Sequence, residues 1–214
     1  MQGSNKPARK IILDLIRHGE PEGGVKYRGS LDDPLSATGW QQMRGTCAKA
    51  LQAGTRWDAV VSSPMLRCHE FAREIAAQQQ LPLSVVPDLR EVCFGEIEGM
   101  RPAEAWQKYP ELLKNMWQAP ELHTPNGGEP FGDFIARVEQ ALRTVIATHG
   151  DQHVLVVAHG GVVRASLSAC FGFTSRATFC VEVPYAAMTR IRAFVHEDGH
   201  TEYSLAFING FTDH

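Results

Sequence analysis

Short runs of branched, apolar residues alternate along this chain with longer amphipathic segments, and this alternation restricts the fold more than any other feature. Four segments have the composition of buried strands: residues 11–16, 57–61, 83–86 and 154–158. Three longer segments repeat apolar side chains at the helical spacing: residues 36–53, the stretch that follows Pro64, and residues 131–149. Strands joined by helices form βαβ units. The pattern predicts a three-layer α/β fold, with helices on both faces of a mostly parallel central sheet.

Length and composition favour one domain. The chain has 214 residues, of which 43% are hydrophobic and 21% charged, as in an ordinary globular protein. We expect a single domain over residues 11–214, preceded by a disordered leader of residues 1–10. Residues 100–130 are rich in Pro and Gly at their end and are expected to form a lid-like insertion. Residues 178–208 are expected to be strands, with a hairpin turn at Asp198-Gly199.

Charge and cysteine usage exclude several classes of partner and compartment. The formal net charge is −3, so no overall basic field attracts nucleic acid or anionic lipid. The apolar run at residues 11–16 is too short to span a membrane. Five scattered cysteines without a CxxC pair suit free thiols in a reducing cytosol. We therefore expect a cytoplasmic protein that binds neither nucleic acid nor membrane, and a homodimer is left open.

Three polar motifs follow three of the predicted strands. They are Arg17-His18-Gly19, Ser62-Ser63-Pro64 with Arg67, and His159-Gly160-Gly161. In a parallel sheet, ligands bind beyond the carboxyl ends of the strands, and all three motifs belong to that edge. Glycine after a strand-end histidine lets a ligand approach the backbone, which makes Gly160 a candidate contact. Each motif alone is better explained as an ordinary strand end, but together they predict a site.

The residue types at this edge favour an anion over a metal ion. Two histidines also fit a metal site, but neither HxH nor HExxH occurs in the chain, and neighbouring arginines would repel a cation. Arg67 lies in the first turn of a predicted helix, where a guanidinium and the helix amides suit phosphate oxygens. Glu91 lies in a loop and is the candidate carboxylate for acid–base work, whereas Glu96 and Glu98 are interpreted as solvated charges. We expect no metal and no cofactor.

Five blocks of the chain, in order, resemble those of the histidine phosphatase superfamily, which includes phosphoglycerate mutases. The blocks are Arg17-His18-Gly19-Glu20; residues 33–39 with Gln42; Ser62-Ser63-Pro64 with Arg67; residues 89–91 with Phe94-Gly95 and Glu98-Gly99; and His159-Gly160-Gly161. Each block is weak alone, but five in order across residues 11–164 are specific. The resemblance implies a phosphoglycerate mutase-like fold and a phosphatase that works through a phosphohistidine.

The resemblance also implies a role for each candidate residue. His18 is the nucleophile, Glu91 is the proton donor, and the phosphoryl oxygens are held by Arg17, Arg67 and His159. The chain departs from the family pattern after Glu20, where Pro21, Glu22, Gly23 and Gly24 replace a stretch that usually carries an Asn. We expect Arg28 to supply the phosphate contact of that missing Asn.

Within the superfamily, local features favour hydrolysis of a small molecule. The mutases carry an Arg-Arg pair in their insertion, and no such pair occurs between Arg101 and Pro130. Trp117-Gln118, residues 124–129 and residues 134–138 resemble the insertion of alpha-ribazole phosphatases of cobalamin biosynthesis. The expected partner is a small phosphorylated metabolite. Three alternatives stay open: phosphoglycerate mutase-type transfer, a protein or phosphohistidine phosphatase, and a non-catalytic regulatory module.

Overall fold

The structure, a computed structural model, describes residues 9–212. The strands found there are β1 (Arg9–Arg17), β2 (Ala59–Ser62), β3 (Leu83–Val85), β4 (His153–Ala158), β5 (Met188–Val195) and β6 (Thr201–Gly210). The helices are α1 (Ala37–Gln52), α2 (Leu66–Gln79), α3 (Pro102–Lys108), α4 (Pro110–Gln118), α5 (Phe131–His149), α6 (Gly160–Phe171) and α7 (Ser175–Phe179). No helix within residues 9–212 combines the length and the apolar character that crossing a membrane requires.

The strands form one sheet in the order β3-β2-β4-β1-β5-β6. The pairs β1–β4, β2–β4 and β2–β3 are parallel, whereas β5 is antiparallel to both β1 and β6. Arg17 pairs with Ala158, and Ser62 pairs with Val157. The carboxyl ends of β1, β4 and β2 therefore lie side by side, which brings the three polar motifs to one edge of the sheet as predicted.

Side chains alternate along the strands between the two faces of the sheet and form two separate cores. Leu13 and Leu15 of β1 and Val156 of β4 pack with α5 and α6 on one face, whereas Ile16 and Leu155 pack with α1 and α2 on the other. Both faces are apolar because the central strands are covered by helices on both sides. The predicted three-layer α/β fold with a mostly parallel sheet is confirmed.

The start of α1 holds the loop that follows His18. The Ser36 hydroxyl caps the helix by accepting a hydrogen bond from the Gly39 amide at 3.1 Å. Gly19 and Gly39 lie so close that a Cβ on Gly19 would overlap the Gly39 carbonyl, and a Cβ on Gly39 would overlap the Glu20 backbone. The close approach of these two glycines fixes the backbone on the carboxyl side of His18.

Several boundaries differ from the sequence prediction; β2, for example, predicted over residues 57–61, is found at Ala59–Ser62. Arg9 and Lys10, assigned to the leader, form the start of β1 because they pair with Val195 and Phe194 of β5; residues 1–8 lie outside the described part of the chain. The prediction of strands over residues 178–208 is wrong at its start, since α7 extends to Phe179 and is capped by the Thr174 hydroxyl. The hairpin predicted at Asp198-Gly199 is confirmed: it joins β5 to β6.

The insertion after Gly99 contains α3 and α4. Ala105 and Leu113 of the insertion are buried in a small core together with Ile97, which precedes the insertion. Trp117 at the end of α4 contacts Phe179 of α7 edge to face, with ring centroids 5.7 Å apart. The insertion is therefore anchored against the helices that follow β4.

Candidate active site

His18 directly extends β1 and is held by backbone hydrogen bonds on both sides. Its amide donates to the Ala158 carbonyl at 2.9 Å, and its own carbonyl accepts from the Ala186 amide at 3.3 Å. The residue is 5% exposed. His18 follows the last residue of β1, and these backbone hydrogen bonds hold its imidazole in a fixed position at the end of the strand.

One of the two ring nitrogens of His18 is already hydrogen-bonded. Nδ1 lies 2.7 Å from the Gly19 carbonyl oxygen, which can accept but not donate, so Nδ1 carries the proton. Burial, with the positive charges of Arg17 and Arg67 added to it, holds the pKa of His18 well below its usual value. A neutral ring with its proton on Nδ1 has its lone pair on Nε2, which is the form of imidazole that attacks an electrophile.

His159 is fully buried beside His18. The two ring centroids are 5.2 Å apart with an interplanar angle of 68°. Nε2 of His159 lies 2.7 Å from the Ser63 hydroxyl, so the residue after β2 fixes the ring that follows β4. Burial and the charge of Arg67 hold the pKa of His159 well below its usual value.

Arg17 is packed between an aromatic ring and a glycine. Its guanidinium lies 4.1 Å over the ring of Tyr185, and a Cβ on Gly160 would come within 3.3 Å of its Nε. One terminal nitrogen donates to the Val183 carbonyl. Burial lowers the pKa of Arg17, which shows that the charge is held at a desolvation cost.

Arg67 lies in the first turn of α2 and is fully buried. It donates to the carbonyls of Leu31 at 2.7 Å and Gly29 at 3.2 Å. The expectation that the α2 amides bind phosphate is not met at Leu66, because that amide donates to the Asp32 carboxylate at 2.7 Å. Among residues 9–212, Nε of Arg67 and Nε of Arg17 are buried donors without a hydrogen-bond partner. Such orphaned donors are uncommon in folded proteins.

Glu91 reaches the start of α6 from the loop after β3. One carboxylate oxygen accepts from the Gly161 amide and the other from the Val92 amide, each at 3.1 Å. A Cβ on residue 161 would overlap the carboxylate, so the second glycine of His159-Gly160-Gly161 makes room for Glu91. The two glycines therefore leave room for the side chains of Arg17 and Glu91 at the start of α6.

A cavity of about 520 Å³ opens at this edge of the sheet. Of the predicted site residues, five lie in its wall: Arg17, His18, Arg28, Glu91 and Gly160. Arg67 and His159 are fully buried next to His18 and are not part of the wall. The structure thus brings all seven residues to one place, in two layers.

Arg28 reaches the cavity but is largely committed to its own loop. Its Nε donates to Asp33 at 2.7 Å, and one terminal nitrogen donates to the carbonyls of Glu22 and Gly24. These contacts hold together the stretch that departs from the family pattern. The phosphate contact expected of Arg28 stays a prediction.

The interpretation of Glu98 as a solvated charge is wrong. Its carboxylate accepts from the amides of Ser30 at 2.7 Å, Phe94 at 3.0 Å and Leu31 at 3.1 Å. Glu98 therefore joins the loop before α1 to the loop that carries Glu91. Glu96 is exposed, in line with its interpretation, and accepts from the Asn126 amide.

Sequence reasoning missed four residues of the cavity wall: Lys26, Tyr27, Arg164 and Tyr185. Arg164 could have been found, because it follows Gly160 by four residues and so lies on the same face of α6. Lys26 and Tyr185 lie in loops, and no local pattern points to them. Lys26 is paired with Asp33 at 2.9 Å, which also binds Arg28.

A second cavity, of about 570 Å³, adjoins the first and shares Glu91, Phe94, Gly161 and Arg164 with it. Its other walls come from the insertion and from the helices that the insertion contacts: Met116, Pro120, Pro125, Phe131 and Phe179 among them. Phe131 and Phe179 meet edge to face with centroids 5.0 Å apart. We call this space the apolar chamber. Glu91 therefore lies in the walls of both cavities.

Residues 9–212 contain no group of three or more His, Cys, Asp or Glu side chains arranged to hold a metal ion. The side chains that converge on the cavity are instead two histidines, buried arginines and one carboxylate. This set suits a ligand that carries negative charge.

Comparisons with known proteins agree with this geometry. A sequence model of the Histidine phosphatase superfamily (branch 1) matches residues 13–204. The chain is similar to Adenosylcobalamin/alpha-ribazole phosphatase of Escherichia coli (strain K12), with 30% identity over 84% of this chain and 88% of that protein. It is also similar to 2,3-bisphosphoglycerate-dependent phosphoglycerate mutase of Rhizobium etli, with 28% identity over 84% of this chain and 90% of that protein.

Solved structures show the same fold. The structure of a putative alpha-ribazole-5'-P phosphatase from Escherichia coli superposes with a TM-score of 0.78 and 26% identity, over 95% of this chain and 98% of that one. The resemblance noted in the sequence is confirmed by these matches. The chain therefore belongs to the histidine phosphatase superfamily and is an enzyme of the phosphatase class.

Proposed function

We propose that this protein hydrolyses a small-molecule phosphomonoester through a phosphohistidine on His18. The observation that carries the proposal is the state of the His18 ring. Its Nδ1 is committed to the Gly19 carbonyl at 2.7 Å, and burial beside two arginines keeps the ring neutral. Nε2 of such a ring attacks phosphorus without first losing a proton.

Arg17, Arg67 and His159 hold the oxygens of the transferring phosphoryl group. The buried Nε donors of Arg17 and Arg67 lack partners within residues 9–212, and phosphoryl oxygens are acceptors that would satisfy them. Their charges are fixed before the substrate arrives, so little reorganisation accompanies the reaction. His159, whose Nε2 lies 2.7 Å from the Ser63 hydroxyl, is neutral and adds no charge to this set. Arg28 and Gly160 complete the proposed phosphate site from the cavity wall.

Glu91 transfers the proton in both steps. As the bond from His18 Nε2 to phosphorus forms, the bond from phosphorus to the ester oxygen breaks, and the protonated Glu91 gives its proton to that oxygen so that a neutral alcohol leaves. Water then attacks the phosphorus of the phosphohistidine, the bond from phosphorus to His18 Nε2 breaks with its electron pair returning to the nitrogen, and the Glu91 carboxylate takes one proton of the water. The products are an alcohol and inorganic phosphate, and His18 and Glu91 return to their starting forms. No metal takes part in this sequence.

The apolar chamber supports a bulky alcohol as the leaving group. Because Glu91 lies in the walls of both cavities, the ester oxygen that Glu91 protonates lies where the two cavities adjoin. Phe131, Phe179 and Met116 offer apolar surface to the rest of the alcohol. Alpha-ribazole 5'-phosphate, whose alcohol carries a flat heterocycle on a ribose, fits this description, and relatives named for that substrate support it.

Mutase-type transfer is the second candidate because one relative is a phosphoglycerate mutase. That reaction needs cations for a second phosphate group. Lys26, Arg28 and Arg164 are additional cations in the cavity wall, but Lys26 and Arg28 are both paired with Asp33, and Arg164 donates to the Val181 carbonyl. One cation without a carboxylate partner within residues 9–212 is little for a second phosphate group, so hydrolysis is the better supported reaction.

One experiment tests the proposal against its alternatives. Purified protein is given alpha-ribazole 5'-phosphate, 3-phosphoglycerate, phosphoserine and a phosphohistidine peptide, with EDTA present, and phosphate release is measured. We expect release from alpha-ribazole 5'-phosphate, inhibition by vanadate, and an acid-labile label on His18 after rapid quenching. Transfer to phosphoglycerate without release would favour the mutase, and a preference for the peptide would favour a protein phosphatase. A protein that releases no phosphate and takes up no label would be a non-catalytic module.

A further inference from the structure

We propose that Arg137 is the positioning residue for Glu91, and that it acts by gripping the main chain of the loop that carries this carboxylate. The proposal rests on the proton-transfer role given to Glu91 under the proposed function. Arg137 lies on α5, outside the sequence blocks that predicted the site. It does not line the phosphate cavity.

The guanidinium of Arg137 donates to three carbonyls of the Glu91 loop. One terminal nitrogen donates to Asp88 at 2.7 Å and to Arg90 at 2.9 Å, and the other donates to Glu91 itself at 3.1 Å. The side chain is 12% exposed, and its guanidinium lies 4.7 Å over the ring of Phe134. A planar group with donors on two sides is well suited to hold several carbonyls at once.

Glu129 completes the grip from the other side of the loop. Its carboxylate binds Nε and one terminal nitrogen of Arg137 at 2.6 and 2.7 Å. Its backbone amide donates to the Cys93 carbonyl at 2.9 Å, and its carboxylate also accepts from the Cys93 amide at 3.4 Å. Residues 88–93 are thus bound on both sides of Glu91 by one ion pair.

The position of the Glu91 carboxylate depends on these hydrogen bonds to the loop. It is held by the Gly161 amide and by the amide of its own neighbour Val92, so a shift of the loop would carry the carboxylate with it. Proton transfer requires the acid within hydrogen-bond distance of the ester oxygen. A displacement of about 1 Å costs about 100-fold in rate. Because Glu129 neutralises Arg137, the ion pair's main effect is on geometry rather than on local charge.

The test uses leaving groups that differ in their need for a proton. Alkyl phosphates depend on the Glu91 proton, whereas p-nitrophenolate leaves readily as an anion. In the Arg137→Met variant, the single-turnover rate of phosphoenzyme formation should fall about 100-fold with an alkyl phosphate. With p-nitrophenyl phosphate it should fall far less. Glu91→Gln should show the same split, and Arg143→Met is the matched control, since Arg143 lies on the same helix but is exposed and pairs with Glu139.

Equal loss on both substrates would show a general structural role and overturn the proposal, as would unchanged rates on both. Should Arg137→Met not fold, Arg137→Lys keeps the charge opposite Glu129 but loses the planar set of donors, and it should show the same split to a smaller degree. The proposed function is tested apart from this inference by the wild type. If the wild type forms no phosphohistidine on either substrate, both fail; if it does and Arg137→Lys shows no split, only the inference fails.

Discussion

Two groups of buried charged side chains lie along β1, three residues apart, and they differ in how their charges are balanced. Asp14 is fully buried on the face of the sheet that α1 and α2 cover, and hydrogen-bond donors surround its carboxylate. Arg17 and His18 follow at the end of the strand and belong to the candidate active site. The same strand thus presents one completed ionic network and one incomplete one.

The Asp14 network uses both carboxylate oxygens. Arg190 binds them at 2.7 and 2.9 Å, His153 donates at 2.8 Å and the Trp57 indole donates at 2.9 Å. Arg190 also donates to the Thr55 hydroxyl. Burial alone would raise the pKa of Asp14, but the hydrogen bonds from Arg190, His153 and Trp57 outweigh it, and the pKa lies below its usual value. The charge is therefore a stable part of the fold.

Within residues 9–212, neither arginine of the active-site cluster forms a close ion pair with a carboxylate. Arg17 and Arg67 bind carbonyl oxygens, which are neutral, and Asp32 approaches Arg67 no closer than 4.0 Å. The comparison teaches that burial of charge does not by itself mark a function. A buried charge whose hydrogen-bond partners all come from the protein stabilises the fold. Cations that keep unused hydrogen-bond donors at a cavity are instead candidates for binding a ligand.

The largest expected effect separates the two histidines of these clusters. His18→Ala should reduce turnover of every phosphomonoester by at least about 10⁴-fold, because no other group can form the bond to phosphorus. His153→Gln, its matched control in the Asp14 network, should keep kcat within a few-fold and should lower stability instead. Phosphate release and urea unfolding measure the two effects. Activity of His18→Ala near the wild-type rate would remove the phosphohistidine from the mechanism.

Asp14→Asn tests the completed network. The change leaves Arg190 buried without its anion, and breaking a buried pair in this way costs about 3–5 kcal/mol of unfolding free energy. Activity per folded molecule should stay close to that of the wild type, since Asp14 does not line the cavity. Urea unfolding gives the first quantity, and kcat under strongly folding conditions gives the second. A large loss of kcat with stability intact would mean that the two clusters are coupled.

Arg17→Met is the corresponding test of the incomplete cluster. One fixed donor on a developing charge is worth about 100- to 1,000-fold in rate, so activity should fall by that factor. Stability should be unchanged or higher, because a partly buried cation without a close anion is replaced by an apolar side chain of similar length. Single-turnover kinetics and urea unfolding provide the comparison with Asp14→Asn. Marked destabilisation would contradict the view that this charge is kept for a ligand.

Much of this molecule was predictable from sequence because its signals are local. The period of apolar side chains identified the central strands and α5, and glycines after strand-end histidines identified the edge of the sheet that carries the site. Glu98 and Arg137 could not be assigned, because their partners are backbone groups of segments distant along the chain. Asp14 also gave no local signal, since its three partners come from β4, β5 and the segment before β2. Long-range polar contacts of this kind have no period along the sequence.

The smallest effect we predict is a difference in the pH dependence of stability. The pKa of Asp14 is below its usual 3.8 in the folded protein, so its contribution is complete above about pH 4 and is lost as the pH falls further. The pKa of His18 and that of His159 lie well below 6.5 when folded, so the unfolded chain takes up a proton on each as the pH falls past 6.5 and the folded protein does not. Each histidine should therefore cost about 1.4 kcal/mol of unfolding free energy per pH unit below that point, until its folded pKa is reached.

The measurement is urea unfolding at several pH values between about pH 7 and about pH 5, a range in which the Asp14 carboxyl does not titrate. The slope of the unfolding free energy against pH should be shallower in His18→Gln than in the wild type by about 1.4 kcal/mol per unit, since one of the two protons is removed from the unfolded chain. Arg143→Met, a substitution of an exposed side chain that pairs with Glu139, should keep the wild-type slope. Asp14→Asn does not serve as the control in this window, because Asp14 lies 2.8 Å from His153 Nε2 and its loss changes the surroundings of a third imidazole. Identical slopes in the wild type and His18→Gln would mean that His18 takes up its proton at the same pH in the folded and the unfolded protein, which contradicts the lowered pKa of the buried ring.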